Sequence, residues 1–366
     1  MDLHESLSLI EELCSTPGVS GFEEPMIRLV KREMLRYTPD VQVDRLGNVI
    51  GILPAARDNA LTLMIDAHID EIGFVVRNIR PDGFLRIYRV GFPVDRVLPS
   101  VPVAIHAEGG RRYYGTIGAK SHHYTPNEER DKVIPLDDLF IDAGFSSADE
   151  VFAAGIRVGS PVSYWPNFQV VGDHLMAKTL DNRLLVFAML AIMHRLSGKP
   201  LPVKVACVGA VHEEFTSRGG SVAAQTVQPD MAIILDVTVA TDTPDLMGKD
   251  LPKAHLGDGV VINTFVYHPH LPLIGTLAHP KLYQQLVETA KRHEIKHIVS
   301  VTSRVLTDAC DLQYFAGGVA VIELEIPTRY THAPTEAACL RDVQAMIDLV
   351  TQFILDIPAD FNLNRG

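Results

Sequence analysis

Two glutamates stand side by side at the point where an apolar segment ends. Glu213 and Glu214 follow Val203–Gly209, a short run rich in β-branched residues that is typical of a buried strand in a mostly parallel sheet. Open α/β sheets bind ligands at the carboxyl ends of their strands. Adjacent carboxylates in such a place repel each other unless a cation lies nearby. A metal ion is the simplest candidate for that cation.

Other acids and histidines follow predicted strands or precede predicted helices in the same way. Together with the two glutamates they form a set that contains no cysteine: His68, Asp70, Asp181, Glu213, Glu214, Asp236 and His332. Histidine and carboxylate ligands suit borderline metals such as Zn, Co or Mn. Because these residues are dispersed along the chain, they indicate a catalytic site rather than a local structural clip.

A pair of ions about 3.5–4 Å apart can hold a hydroxide and polarise a carbonyl group. Such a site needs one carboxylate to bridge the ions and one acid that stays off the metals as general base. Each residue alone has an ordinary alternative. The His68–Asp70 segment could be a turn, Asp181 a helix N-cap, and His332 a loop histidine. Their joint occurrence favours the metal site.

The elements that would position these residues alternate between strands and helices over most of the chain. Leu61–Ile65 and Met231–Leu235 are further apolar runs typical of buried strands, and Leu184–Leu196 and Leu340–Leu355 are predicted helices. From Ile72 to Tyr164 the residue pattern changes, and short β-rich runs alternate with turns that contain Gly, Pro and Asp. The sequence therefore predicts an α/β unit interrupted by a small all-β barrel or sandwich.

Bulk properties exclude several classes of function. The formal net charge of −12 argues against a nucleic-acid partner, and no apolar run is long enough to span a bilayer. The four cysteines are scattered without CxxC spacing, which is typical of reduced thiols in a reducing compartment. The acidic N-terminus lacks the basic region of a signal peptide. We expect a cytoplasmic protein without a nucleic-acid or membrane partner.

Several segments together resemble a known family, in order and over nearly the whole chain. They are Ser20–Glu23, Asp44–Asn48, Ala67–Gly73, Leu180–Arg183, Glu213–Phe215 with Arg218 and Gly219, Leu235–Val237, and Pro327–His332. These motifs resemble those of the tetrahedral (TET-type) metalloaminopeptidases, also known as the glutamyl or deblocking aminopeptidase family.

The resemblance implies a fold and an assembly. The fold would be a phosphorylase/hydrolase-like mixed α/β sheet sandwiched by helices, of the zinc-exopeptidase type. Residues 1–71 and 165–366 would form the catalytic domain, and residues 72–164 an inserted β-barrel dimerisation domain. Members of the family often assemble into hollow tetrahedra of twelve subunits, so the chain would be a homo-oligomer built from dimers.

The resemblance also implies an activity. The enzyme would remove N-terminal residues from peptides with a free N-terminus, using two divalent ions per subunit (Zn, Co or Mn). One ion would be held by His68, Asp181 and Glu214. The other would be held by Asp181, Asp236 and His332, with Asp181 bridging. Glu213 would be the general base that activates water, and Asp70 would orient His68.

Three places depart from the pattern that this family often shows. Lys120–His123 replaces Lys-Pro-Pro-His, Phe215 and Thr216 replace Val-Gly, and Leu306 replaces a Gly.

Two other functions stay open. One is a related di-metal amidohydrolase, such as a deacylase or carboxypeptidase-like enzyme, and the other is a non-catalytic assembly or binding protein of the same fold. Glycosidase chemistry is disfavoured because no paired carboxylates are placed for it.

Overall fold

A computed structural model describes residues 3–269, 274–303, 305–358 and 360–365. Met1 and Asp2, on which part of the N-terminal prediction rests, lie outside these residues. The helices are α1 Leu3–Ser15, α2 Glu24–Met34, α3 Ala148–Ala153, α4 Leu180–Leu196, α5 Glu213–Thr216, α6 Gly219–Val227, α7 Pro280–Arg292, α8 Ala309–Leu312 and α9 Leu340–Asp356.

The strands belong to one large sheet and one closed barrel. They are β1 Val41–Val43, β2 Val49–Leu53, β3 Thr62–His68, β4 Gly73–Ile79, β5 Leu85–Val90, β6 Pro102–His106, β7 Arg112–Gly118, β8 Phe140–Asp142, β9 Pro161–Tyr164, β10 Phe168–Val171, β11 His174–Ala177, β12 Lys204–Ala210, β13 Met231–Val239, β14 Val260–Tyr267, β15 Gly275–Leu277, β16 His297–Ser303, β17 Ala320–Arg329 and β18 Glu336–Cys339.

The centre of the large sheet consists of four parallel strands in the order β12-β3-β13-β17. Antiparallel strands extend it on both sides, as β1-β2 beyond β12 and as β18-β11-β10 beyond β17. β14 also pairs with β17 and carries β15 and β16. Every residue of β3 is buried, which explains its continuous apolar run, since strands covered on both faces have no solvent side.

Helices cover both faces of this sheet. One face packs its apolar side chains against α1, α2, α4 and α9, and the other packs against α6 and α8. Almost every residue of α4 is buried, because α4 contacts the sheet and also packs against α1 and α9. A helix in such a position is apolar on all sides. This arrangement confirms the predicted mixed α/β sheet sandwiched by helices.

The strands β4 to β9 close into a barrel in the order β4-β5-β8-β7-β6-β9. Its core is separate from that of the large sheet and is built around fully buried residues such as Phe74, Val103 and Ile141. The structure therefore shows a barrel rather than a sandwich in the β-rich segment. In the described residues, no helix is both long enough and apolar enough to cross a membrane.

A buried group of charges joins the N-terminal segment, the end of β3 and the β11–α4 connection. The Glu71 carboxylate accepts hydrogen bonds from the Lys178 ammonium group and from the backbone N–H of Gly18 at 2.9 Å, and the Arg183 guanidinium lies 3.8 Å away. Burial lowers the pKa of Lys178. Because removing one partner of a buried pair leaves the other charge uncompensated, this group constrains the loop that carries Asp181.

We predict that Lys178→Met destabilises the protein by about 3–5 kcal/mol, because Glu71 then stays buried without its ammonium partner. Lys120→Met provides a matched control. Lys120 pairs with Glu129 at 3.0 Å on the surface, and breaking such an exposed pair costs about 0–1 kcal/mol. Chemical denaturation monitored by circular dichroism measures both changes, and equal losses of stability would contradict the assigned importance of the buried pair.

Candidate active site

The carboxyl edge of the parallel strands gathers the residues singled out in the sequence. His68 is the last residue of β3, and Asp236 lies near the end of β13. Glu213 and Glu214 begin the short helix α5 directly after β12. Asp181 is the second residue of α4, which follows β11, and His332 comes from the connection that follows β17. Because parallel strands end at the same edge, residues far apart in the sequence meet here.

Asp181 lies between two histidines. Its Oδ1 is 3.1 Å from Nε2 of His68, and its Oδ2 is 3.4 Å from Nε2 of His332. Burial alone would raise the pKa of Asp181, but hydrogen bonds from His332 and His68 outweigh this effect and lower the pKa below its ordinary value. A carboxylate that presents one oxygen to each of two histidines has the arrangement required of a bridging ligand.

Two groups of potential ligands share Asp181. His68, Asp181 and Asp236 form one group, and Asp181, Glu214 and His332 form the other. Within each group the ligand atoms lie within 4.8 Å of one another. Nitrogen and carboxylate oxygen donors at this spacing fit divalent ions such as Zn, Co or Mn.

This grouping differs from the assignment implied by the resemblance, which paired Glu214 with His68 and Asp236 with His332. The strand register explains the difference. β3 and β13 are parallel neighbours in which Ile234 lies opposite Asp66, so two residues further on Asp236 comes beside His68. The Asp236 carboxylate is 3.9 Å from the His68 ring, whereas Glu214 is 3.4 Å from the His332 ring.

Buried carboxylates outnumber cationic side chains at this edge. Burial, with smaller contributions from the neighbouring Asp181 and Asp70, raises the pKa of Glu214 to about 7. Burial also raises the pKa values of Glu213 and Asp236 well above the ordinary range, and acidic neighbours add to both shifts. Divalent cations bound here would offset the repulsion, since an opposite charge nearby favours the ionised form.

Glu213 belongs to neither ligand group among the described residues. The Ser217 hydroxyl donates a hydrogen bond of 2.9 Å to Oε1 of Glu213, and Oε2 lies 3.9 Å from Nε2 of His68. His212 adopts a positive φ of 61°, which turns the chain sharply between β12 and α5. A carboxylate beside the ligand groups but outside them can take up and return a proton. The sequence analysis did not identify Ser217.

Asp70 holds the backbone of the two glutamates. Its Oδ1 and Oδ2 accept hydrogen bonds of 3.1 Å from the N–H groups of Glu213 and Glu214 respectively. Ser20 donates a bond of 2.6 Å to Oδ2, and Nδ1 of His68 lies 3.4 Å from Oδ1. Asp70 therefore acts on three neighbouring segments, whereas the resemblance implied only its contact with His68.

Glu336 holds the other two ligand-bearing segments. Its Oε2 accepts a hydrogen bond of 2.9 Å from the N–H of Asp181, and its Oε1 accepts one of 2.8 Å from the N–H of His332. Burial raises the pKa of Glu336 to about 8, with a further contribution from Asp181. The sequence analysis missed this residue. The signal that could have found it is an acid at the start of the otherwise apolar segment Glu336–Cys339.

The chain is similar to known peptidases over most of its length. Residues 47–349 match the family described as M42 glutamyl aminopeptidase. The chain belongs to the M42 family. M42 peptidases are metal-dependent hydrolases of peptide bonds, and this chain has two groups of side chains that could hold a metal ion.

Individual M42 relatives match over almost their whole length. The lysyl aminopeptidase of Pyrococcus furiosus is 33% identical over 359 residues, which cover 96% of this chain and 98% of the relative. An aminopeptidase from the archaeon Desulfurococcus kamchatkensis superposes with a TM-score of 0.91 at 33% identity, covering 98% and 96% of the two chains.

A second solved structure concerns assembly. The Pyrococcus horikoshii TET1 peptidase superposes with a TM-score of 0.83 at 28% identity, covering 96% of this chain and 99% of that one. Its structure shows assembly into a tetrahedron or a large octahedral shell. The predicted resemblance to TET-type aminopeptidases and the zinc-exopeptidase fold is therefore confirmed.

We predict that Glu336→Gln weakens metal binding by about 10–100-fold, as is usual when a group that orients ligands is changed. The amide would turn an N–H toward one of the two backbone donors, so either Asp181 or His332 would lose its anchor. Zinc affinity measured by competition with a chromophoric chelator checks this result. Glu11→Gln, an exposed change in α1, is the control, and unchanged zinc affinity in Glu336→Gln would contradict the role.

Proposed function

We propose that this M42 enzyme is a two-metal aminopeptidase that removes single residues from the free N-terminus of peptides. The observation that carries the proposal is the position of Asp181, whose two carboxylate oxygens face His68 and His332. Each histidine belongs to a group with one further carboxylate, Asp236 or Glu214. A shared carboxylate between two such groups is what a pair of neighbouring ions requires.

The residues present fit divalent Zn, Co or Mn. His68, Asp181 and Asp236 would hold one ion, and Asp181, Glu214 and His332 the other. When bound, such ions polarise the scissile carbonyl group and lower the pKa of water. Donors of this type, held in buried positions by Asp70 and Glu336, support the proposal because catalytic metal sites need ligands whose orientation is set by a supporting layer.

Glu213 supplies the acid–base chemistry in this proposal. Its carboxylate takes the proton from the attacking water and later delivers it to the departing amine. Ser217 orients that carboxylate through Oε1, which leaves Oε2 for the reacting water. Burial raises the pKa of Glu213, and a raised pKa makes a carboxylate a better proton acceptor at neutral pH.

The charge of the site favours a substrate with a free N-terminus. The site contains five buried carboxylates, those of Asp70, Asp181, Glu213, Glu214 and Asp236. Two divalent ions would neutralise four of their five negative charges. The ammonium group of a peptide would be attracted to the remaining charge, whereas an N-acetyl group would gain nothing. This difference separates an aminopeptidase from a deacylase of the same fold.

Hydrolysis of paired free and N-acetylated peptides tests the proposal directly. The purified protein is treated with chelator and then supplied with Zn, Co or Mn. We expect metal-dependent release of one residue at a time from the free peptides alone. Preferred cleavage of acetylated peptides would replace the proposal by the deacylase alternative, and absence of turnover with every metal would favour a non-catalytic binding protein.

We predict that Glu213→Gln lowers kcat by about 10²–10⁴-fold, because the amide cannot accept the proton from water. Metal content should stay unchanged, since Glu213 belongs to neither ligand group. Elemental analysis of the same preparation separates loss of chemistry from loss of metal, and Glu11→Gln again serves as the exposed control. Full activity in Glu213→Gln would rule out the general-base role.

We predict that Asp181→Ala loses metal from both positions, because both ligand groups contain this residue. Asp236→Ala removes a ligand from only one group and should retain more metal. Asp58→Ala, an exposed substitution, controls for the loss of a carboxylate elsewhere. Elemental analysis after gel filtration gives the ratio of ions to chain, and two ions retained by Asp181→Ala would show that this residue does not bridge.

The enzyme would act as a homo-oligomer. The related TET1 peptidase of Pyrococcus horikoshii forms closed shells, and the barrel of strands β4 to β9 exposes aromatic side chains, including Tyr88 and Tyr114, that would suit a dimer contact. In this proposal residues 72–164 form the inserted dimerisation domain. A cytoplasmic location is supported by the four buried cysteines, which are all unpaired, as is typical of a reducing compartment.

A further inference from the structure

A cavity of about 680 Å³ opens beside the two ligand groups. Several of its lining residues are direct chain neighbours of the proposed ligands. Val237 follows Asp236, and Phe215 follows Glu214. A peptide whose scissile carbonyl lies at the ligand groups has the side chain of its first residue only a few bonds away. That side chain must therefore enter this cavity.

The wall of the cavity is mainly apolar away from the ligands. The apolar residues that line it come from α5, from the end of β13 and from the segments beside β15 and α8: Phe215, Val239, Ile274, Val305 and Leu306. Val237 also borders the cavity, but its side chain belongs to the apolar core of the large sheet.

Charged partners for a substrate side chain are scarce in this wall. Glu213 and the five proposed ligands are titratable residues of the wall. Among the other described lining residues, His268 is the one that can titrate. No lysine, arginine or additional acid lines the described part of the cavity. A charged substrate side chain would lose its water here without gaining a counter-ion, which is unfavourable.

We infer that the cavity selects peptides whose N-terminal residue has an uncharged, apolar side chain such as leucine, methionine or phenylalanine. The inference rests on the proposed aminopeptidase function. It differs from the glutamyl activity in the family's description and from the lysyl activity in the name of the Pyrococcus furiosus relative. Membership of the family therefore leaves the preferred side chain open, and the wall of this cavity decides it.

The test measures kcat/KM of the metal-loaded enzyme on a set of X-Ala-Ala peptides in which X is Leu, Phe, Gly, Glu or Lys. We expect Leu and Phe to exceed Gly by about 10–100-fold, the range that contacts in an apolar pocket provide. Glu and Lys should fall to the level of Gly or below. Equal or faster cleavage of the Glu or Lys peptide would overturn the inference while leaving the aminopeptidase intact.

Failure of the proposed function gives a different result. If none of the five free peptides is cleaved with any metal, both the aminopeptidase and the inference that rests on it are overturned. A second readout is inhibition of the enzyme by free amino acids, which are its products. L-Leucine should inhibit at a lower concentration than L-glutamate or L-lysine, and the reverse order would contradict apolar selection.

A pair of matched variants tests the wall itself. Val239 is the last residue of β13, lines the cavity and is 49% exposed. Val171 is the last residue of β10, lies outside the cavity and is 61% exposed. Val239→Lys should reduce the ratio of kcat/KM for the Leu and Glu peptides by about tenfold, because the ammonium group offers the glutamyl side chain a counter-ion. Val171→Lys should leave the ratio unchanged. Equal ratios in both variants would overturn the assignment of this wall.

Discussion

The repulsion among buried carboxylates is the constraint on which the rest of this structure depends. Asp70, Asp181, Glu213, Glu214 and Asp236 are all buried at one edge of the sheet, and burial opposes ionisation of each of them. His68 and His332 offset only part of this charge. The arrangement is costly for folding alone and becomes favourable when cations bind, so stability and metal binding are linked.

Two carboxylates keep the ligand-bearing segments in place. Asp70 binds the backbone at the start of α5, while Glu336 binds the backbone of Asp181 and His332. Backbone anchors restrict a segment more firmly than contacts to flexible side chains, because they fix the chain at the ligand's own residue. The buried Glu71–Lys178 pair constrains the Asp181 connection from the opposite direction. Each segment that carries a proposed ligand outside the strands is therefore anchored by a buried carboxylate.

Chemistry and selectivity share the same short segments. Asp236 is a proposed ligand and Val237 lines the cavity, and the same relation holds for Glu214 and Phe215. The barrel also contributes, since the carbonyl of Phe92, which follows β5, lies 3.1 Å from Nδ1 of His332. A substitution in the cavity wall can thus alter side-chain preference at a residue that is not itself a proposed ligand.

The sequence alone determined the elements and the members of the cluster. Apolar runs that end in His68, Glu213 and Asp236 identified buried strands with polar ends, and such local patterns depend only on neighbouring residues. Tertiary structure alone decided how the members pair. Asp236 joins His68 because β13 and β3 align in one register, and no local pattern encodes a register between strands so far apart. Glu336 was missed for the same reason: its partners are backbone N–H groups brought to it only by folding.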